Sequence, residues 1–203
     1  MYPPSLFRER IAPLLVAADG VDAALRADPP PDTALAGVLV PVLLGGGEPR
    51  LVFTRRTDTL SRHAGEISFP GGMADAGEDL PKAALREAEE ELGLNPSEVE
   101  LLGALPSVHT HVSGILIVPF VGLLHRDPLF TPNAAEIADV LAFPLSELAD
   151  VGGEREWEWE GRRFQTYVYE LGGNVIWGAT ARVLRSFIQI VESTAGHEEE
   201  RDA

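Results

Sequence analysis

The sequence predicts an α/β fold in which a mixed β-sheet is covered by helices. Three observations lead there. Two hairpins are written in the chain, one around Gly45-Gly46-Gly47-Glu48-Pro49 and one around Gly161. Apolar runs of strand length, residues 99–105 and 115–124, lie between them. Helical patterns stand before, between and after these strands, an interleaving that puts helices on the faces of a sheet.

Taken in order, residues 6–27 read as broadly helical, and Pro29-Pro30-Pro31 makes a stiff break after them. Residues 38–44 and 51–54 are the strands of the first hairpin. The next helix has Asp79 at its N-cap, Pro81 in its first turn, good helix formers through Leu92 and Gly93 as its stop. Two buried strands follow, then a short strand at 140–143 that ends at Pro144. Trp157 and Trp159 alternate with Glu158 and Glu160, and Gly161 turns the chain into residues 164–169, the second hairpin. Residues 179–191 form an amphipathic helix with Val183, Leu184, Phe187, Ile188 and Val191 as its apolar stripe. The expected organisation is an N-terminal helical extension (1–31), one globular domain (32–192) and a disordered acidic tail (193–203).

A chain of 203 residues has enough length for one domain with a real core. It contains no cysteine, which excludes disulfides, thiolate catalysis and Cys-ligated zinc and fits a reducing, cytoplasmic setting. No stretch is long and apolar enough to span a bilayer, and MYPPSLFRER lacks the apolar core of a signal peptide. The net charge of -16 argues against a partner that is a nucleic-acid backbone, because such binders carry a basic footprint. A small-molecule partner is expected, in a chain that acts alone or as a homodimer.

The chemistry concentrates between Gly72 and Leu94, GMADAGEDLPKAALREAEEELGL. Ala84, Leu85, Ala88 and Leu92 recur at three- and four-residue spacing and face a core. Glu87 and Glu91 are one turn apart, about 6 Å along the axis, with Glu90 on the same edge. Like charges at these spacings destabilise a helix unless something compensates. A Glu-rich helix is by default a solvated acidic face. Here Phe69-Pro70-Gly71-Gly72 allows a close backbone approach before the helix, and Arg86 sits inside the acidic set, able to orient or neutralise a carboxylate. A hard divalent cation, Mg²⁺ or Mn²⁺, held by these carboxylates is the natural compensation. Upstream, Arg55, Arg56, Arg62 and His63 make the densest basic stretch in an acidic chain, suited to gripping phosphate.

These residues resemble a known family. The spacing Gly72, five residues, Glu78, seven residues, then REAEEELGL matches the Nudix box, G-x5-E-x7-R-E-U-x-E-E-x-G-U, at every fixed position. Residues 51–72, LVFTRRTDTLSRHAGEISFPGG, resemble the extended motif of its coenzyme A diphosphatase branch, with Thr54, Arg56, Gly65 and Phe69 to Gly72 in register. Two positions depart from it: Thr57 replaces a small residue, and Ser61 stands where the branch has arginine, with Arg62 one place later. PSVHTHVSGILIVPF (106–120), PNAAEIADVLAFPL (132–145) and IWGATA (176–181) are similar to further segments of that branch.

The resemblance implies the Nudix α/β/α sandwich and metal-dependent hydrolysis of a nucleoside diphosphate joined to another moiety. Glu87, Glu90 and Glu91 would hold Mg²⁺ or Mn²⁺, with Glu78 assisting from the loop side. Glu91, or Glu136 from the PNAAE segment, would accept the proton of the attacking water. Arg55, Arg56, Arg62, His63, Gly71 and Gly72 would contact substrate. The implied substrate is coenzyme A or a derivative, cleaved to 3',5'-ADP and 4'-phosphopantetheine. The alternatives are a Nudix hydrolase of ADP-ribose, NADH or a dinucleoside polyphosphate, and a nucleotide-sensing module without turnover. His109 and His111 read as loop or strand-end polar residues, and Trp157, Trp159 and Trp177 as packing anchors rather than base-stacking platforms.

Overall fold

The computed structural model describes residues 4–27, 33–59, 63–110, 114–159 and 161–195. Ser61, Arg62, His111, the triple proline and the last eight residues lie outside them. The chain begins with α1 (Pro4–Leu6), a π-helical turn (Phe7–Ile11) and a 3₁₀ turn (Ala12–Leu14). It resumes as α2 (Ala18–Ala27). The single helix expected over 6–27 is therefore broken. Leu15 is extended (φ -87°, ψ 153°), and Val16 exchanges backbone hydrogen bonds with Ala104 at 3.0 and 2.7 Å. A helix cannot run through a residue whose amide and carbonyl are both spent on a strand.

The main sheet has eight strands among the described residues: β1 (Ala34–Leu43), β2 (Arg50–Arg56), β3 (Ile67–Ser68), β4 (Gly71–Met73), β5 (Glu100–Ala104), β6 (Val108–His109), β7 (Ile115–Leu124) and β8 (Ile137–Pro144). β1 pairs with β7 in parallel over ten residues, from Ala34–Ile115 to Leu43–Leu124. The remaining pairings are antiparallel, so the sheet is mixed. The hairpin partners β1 and β2 touch only at Val42–Leu51 and Leu43–Arg50. Beyond that point β3 pairs with β2 and β4 with β1, so the Phe69-Pro70 turn sits in the fork where the two strands part. β8 begins three residues earlier than the apolar pattern suggests, because Ile137 and Asp139 pair with Arg56 and Arg55 across a bulge at Ala138.

Two apolar layers flank this sheet. On one face α3 (Leu80–Leu92) packs Leu80, Ala84, Ala88 and Leu92 against Leu39, Leu43, Val118 and Phe120. α3 lies so close to β1 that a Cβ on Gly37 would stand 2.3 Å from the Leu80 carbonyl oxygen. Asp79 does occupy the cap position, but its carboxylate lies on Lys82 Nζ (2.6 Å) rather than on a helix amide. Gly93 ends the helix in the left-handed region at φ 66°. On the other face, α4 (Leu145–Val151), a second sheet of β9 (Gly152–Trp159), β10 (Arg162–Leu171) and β11 (Asn174–Ile176), and α5 (Gly178–Ala195) close the sandwich. The whole expected stripe of α5, from Val183 to Val191, is buried, and Phe187 stacks on Phe7 at 6.4 Å. Ser193 and Thr194, assigned to the tail by the sequence, belong to α5: the Thr194 hydroxyl donates to the Val191 carbonyl, and Arg10 donates to the Thr194 carbonyl. No helix among the described residues is long and apolar enough to cross a membrane.

Candidate active site

Burying Ala84, Ala88 and Leu92 turns the opposite edge of α3 outward, with Arg86, Glu87 and Glu90 on it. Arg86 gathers three carboxylates. Its Nε donates to Glu78 (2.9 Å), its Nη1 to Glu87 (2.8 Å) and Glu90 (3.2 Å), and its Nη2 to Glu78 (3.1 Å) and the Met73 carbonyl (3.1 Å). The guanidinium fork can serve so many acceptors because its donors fan out in one plane. The hydrogen bonds from Arg86 and from the Asp75 amide hold the Glu78 carboxyl below the usual carboxylate range. The same contacts, those to Glu78 first, push the Arg86 pKa further up.

Glu91 stands apart from that set. It is 5% exposed, and burial pushes its carboxyl up to about 7. The Gly71 amide donates to it at 3.3 Å and Arg56 Nη1 lies 3.9 Å away, both favouring the ionised form, while the charges of Glu87 and Glu136 oppose it. Glu136, far along the chain, thus joins the same electrostatic neighbourhood, half-buried in the loop before β8. The two glycines have steric reasons. A Cβ on Gly71 would meet the Gly37 carbonyl oxygen and Val38 Cα at 2.6 Å, and one on Gly72 would lie 2.4 Å from the Glu87 carboxyl carbon.

The two arginines of β2 diverge, because successive strand residues point to opposite faces. Arg56 faces the α3 side and Glu91. Arg55 faces the other side, where its Nη2 donates to Asn174 Oδ1 at the start of β11 in the second sheet. The Nε atoms of both are buried and without a hydrogen-bond partner among the described residues. His63 adopts φ 56° and pairs through Nδ1 with Glu66 (2.9 Å) in an exposed loop. Arg62 falls outside the described residues. The structure therefore brings Glu78, Arg86, Glu87 and Glu90 into one network and Gly71, Arg56, Glu91 and Glu136 into its neighbour, while Arg55 and His63 are engaged elsewhere.

A cleft of about 270 Å³ abuts this loop on the α5 side. Its walls, Ala36, Val38, Ile115, Ile117, Ala179 and Val183, escaped the sequence reading. The signal was present only as alternate apolar residues on β1 and β7, whose adjacency is a long-range pairing. His109 lies exposed on β6, with its carbonyl accepting from Arg182 (3.0 Å). Trp157 and Trp177 stack on each other at 5.7 Å, in keeping with a packing role.

Among the described residues no three acidic or histidine groups converge to coordinate a metal, since Arg86 spans Glu78, Glu87 and Glu90. The donors nevertheless fit a hard divalent cation in chemistry. All are carboxylate oxygens, and Glu91 adds a buried carboxylate with Arg56 at 3.9 Å as its nearest cation.

A mixed sheet between helical layers, with a diglycine loop closed onto a helix of carboxylates, defines a Nudix domain. The NUDIX domain model matches residues 34–164, and the chain belongs to the Nudix hydrolase family. A Photorhabdus laumondii protein named "Uncharacterized Nudix hydrolase NudL" is 35% identical over 173 residues, covering 81% of this chain and 91% of that one. A protein of the same name from Pectobacterium atrosepticum is 36% identical over 152 residues, covering 73% and 78%. Among solved structures, a MutT/nudix family protein from Enterococcus faecalis superposes with a TM-score of 0.55 at 14% identity, covering 95% of this chain and 76% of its own. The NUDIX domain of Shewanella oneidensis NrtR, complexed with ADP ribose, superposes at 0.53 and 16% identity, covering 85% and 97%. At such identities these two likenesses concern the fold alone.

Proposed function

We propose that this protein hydrolyses the diphosphate of coenzyme A or a derivative, releasing 3',5'-ADP and 4'-phosphopantetheine. The observation that carries the reading is the meeting of the extended motif with the box. Arg56 and Gly71, both motif positions, converge on the buried Glu91 of α3. Nudix hydrolases generally use divalent ions such as Mg²⁺ or Mn²⁺. Glu87, Glu90 and Glu91, with Glu78, would hold such an ion, which when bound neutralises diphosphate charge and acidifies water.

The chain's own residues supply the rest. Water attacks phosphorus, one P–O bond of the anhydride breaks, and the departing phosphate carries away the electron pair. Glu91 is suited to accept the water's proton, because a carboxyl raised to about 7 is a stronger base than an exposed one and is still about half ionised at neutral pH. Glu136 faces the same carboxylate and is the alternative acceptor. Arg56, with Arg62 near it in sequence, holds the substrate phosphates against the repulsion of a chain of net charge -16, whereas Arg55 and His63 are engaged with Asn174 and Glu66.

A second reading, a Nudix hydrolase of ADP-ribose, NADH or a dinucleoside polyphosphate, draws on Ser61 at the arginine position of the branch motif. Mass spectrometry of products tests both, with Mg²⁺ or Mn²⁺ and each substrate in parallel beside Glu91→Gln. Formation of 3',5'-ADP from coenzyme A, lost in the variant, supports the proposal. Turnover of another substrate with coenzyme A untouched replaces it with the second reading.

A further inference from the structure

The cleft beside the carboxylates has a chemistry of its own. It opens on the face of the main sheet opposite α3, between β1, β7 and the first turns of α5. Its side walls are aliphatic, and among the described residues no charged side chain lines it. Its polar side chains are the hydroxyls of Ser68 and Thr180, and Ser68 already lies 3.2 Å from Thr54 Oγ1. Phe69 is its one aromatic ring among the described residues, but Phe69 is 3% exposed and stacked on Phe53 at 4.4 Å. A nucleobase needs a free aromatic or guanidinium face to stack on, or polar groups to read its edge. Among the described residues the cleft offers neither. A ribose or phosphate placed there would lose hydration with little in return.

An uncharged, mainly aliphatic chain matches these walls. At the ≈30 Å³ that a water occupies in the liquid, the volume holds about nine non-hydrogen atoms, a substantial piece of such a chain. The cleft also shares Gly71 and Gly72 with the carboxylate site, where one donates to Glu91 and the other backs onto Glu87. A chain seated in the cleft therefore reaches the backbone of Gly71 and Gly72, the same two residues that meet Glu91 and Glu87.

We propose that this cleft is the subsite for the uncharged aliphatic arm of the substrate, and that the nucleotide side of the diphosphate lies outside it. The identity of the arm as pantetheine rests on the function proposed above; its chemical class rests on the cleft itself. Two substitutions at its α5 wall, Ala179→Phe and Thr180→Leu, fill it from a helix whose buried stripe they leave intact. The readout is a ratio within each protein: kcat/KM for coenzyme A over kcat/KM for the methyl ester of 3'-phospho-ADP, which keeps the nucleotide and lacks the arm.

The ratio should fall at least tenfold in Ala179→Phe, chiefly through KM for coenzyme A. A ratio unchanged in a folded variant overturns the proposal, even if both activities drop. Should Ala179→Phe not fold by circular dichroism, Thr180→Leu carries the same comparison. Should the parent turn over no coenzyme A, the functional reading fails, and the subsite is then decided by NMR saturation transfer with pantetheine alone. Transfer to the parent that is lost on filling the cleft supports the subsite; its absence from the parent, or its persistence in the variant, refutes it.

Discussion

Replacing Glu91 by glutamine tests the electrostatics of the site without any assumption about substrate. The carboxyl is pushed from its usual 4.5 to about 7, mainly by burial. In the range between those values the unfolded chain has released this proton and the folded chain still holds it. The group therefore stabilises the fold fully only below about 4.5, and that contribution is lost as the pH rises through about 7. At 1.36 kcal/mol per pKa unit, the loss reaches about 3 kcal/mol above neutrality. Glutamine has no proton to release and can still accept from the Gly71 amide. Urea unfolding of both proteins, without divalent ions, gives the stability difference at each pH. Glu91→Gln should be about 2–3 kcal/mol more stable relative to its parent at pH 8.5 than at pH 5, or roughly 5–10 °C in Tm for a chain of this size. Subtracting the parent removes the titration of every group that is not coupled to Glu91; Glu87 and Glu136, whose charges act on it, remain in the difference. A difference that stays flat with pH would show that the Glu91 carboxyl is not destabilised by its burial.

Other substitutions probe the close approaches and the charge network. Gly37→Ala, with a Cβ 2.3 Å from the Leu80 carbonyl oxygen and 2.9 Å from the Ala84 amide, meets backbone that cannot rotate away and should cost about 3 kcal/mol in denaturant unfolding. Gly72→Ala meets the end of a side chain instead, the Glu87 carboxyl. It should cost about 1 kcal/mol or less of stability and more than tenfold in hydrolysis, measured as product release in parallel with the unfolding curve. Arg86→Met removes the fork from three carboxylates and should lower stability by about 2 kcal/mol, partly restored by millimolar Mg²⁺ in a thermal melt. Asn174→Ala withdraws the acceptor of Arg55 and the bonds from Nδ2 to the Leu171 and Gly172 carbonyls, at a cost of about 1–2 kcal/mol by urea unfolding.

The parts of this site that were legible in the sequence are those in which helix geometry converts spacing into position. Glu87, Glu90 and Glu91 fall near one edge of α3 because the turn repeats every 3.6 residues, and no distant contact was needed to see it. The same geometry did not reveal that Glu91 is buried while Glu90 is exposed, since burial depends on the loop that closes over the helix. Arg55 and Arg56 were grouped by their adjacency, although the period of a strand sends them to opposite faces. The break at Leu15-Val16-Ala17 was hidden for a different reason: an apolar stretch is compatible with helix and strand alike, and Ala104 decided the matter from far along the chain. The cleft was invisible because it requires β1 and β7 to be neighbours, and nothing local announces a parallel pairing across that distance.

The diglycine loop is shared by the charged and the aliphatic sides of this fold. The main sheet separates a charged face, where α3 presents its carboxylates, from an aliphatic face, where α5 packs. A continuous sheet would keep them on opposite sides of its backbone, because successive side chains point to opposite faces. Because β1 and β2 part after two residue pairs, the loop from Ile67 to Met73 enters the fork and pairs with both. At that point backbone without side chains forms the partition, with Glu91 hydrogen-bonded to Gly71 and the cleft lined by the same residue. Any side chain at Gly71 would strike β1, and any at Gly72 would displace Glu87. On the function and subsite proposed above, the anionic and the aliphatic halves of the substrate meet this partition from its two sides, and the pair of glycines is then the place where fold and activity are most tightly linked.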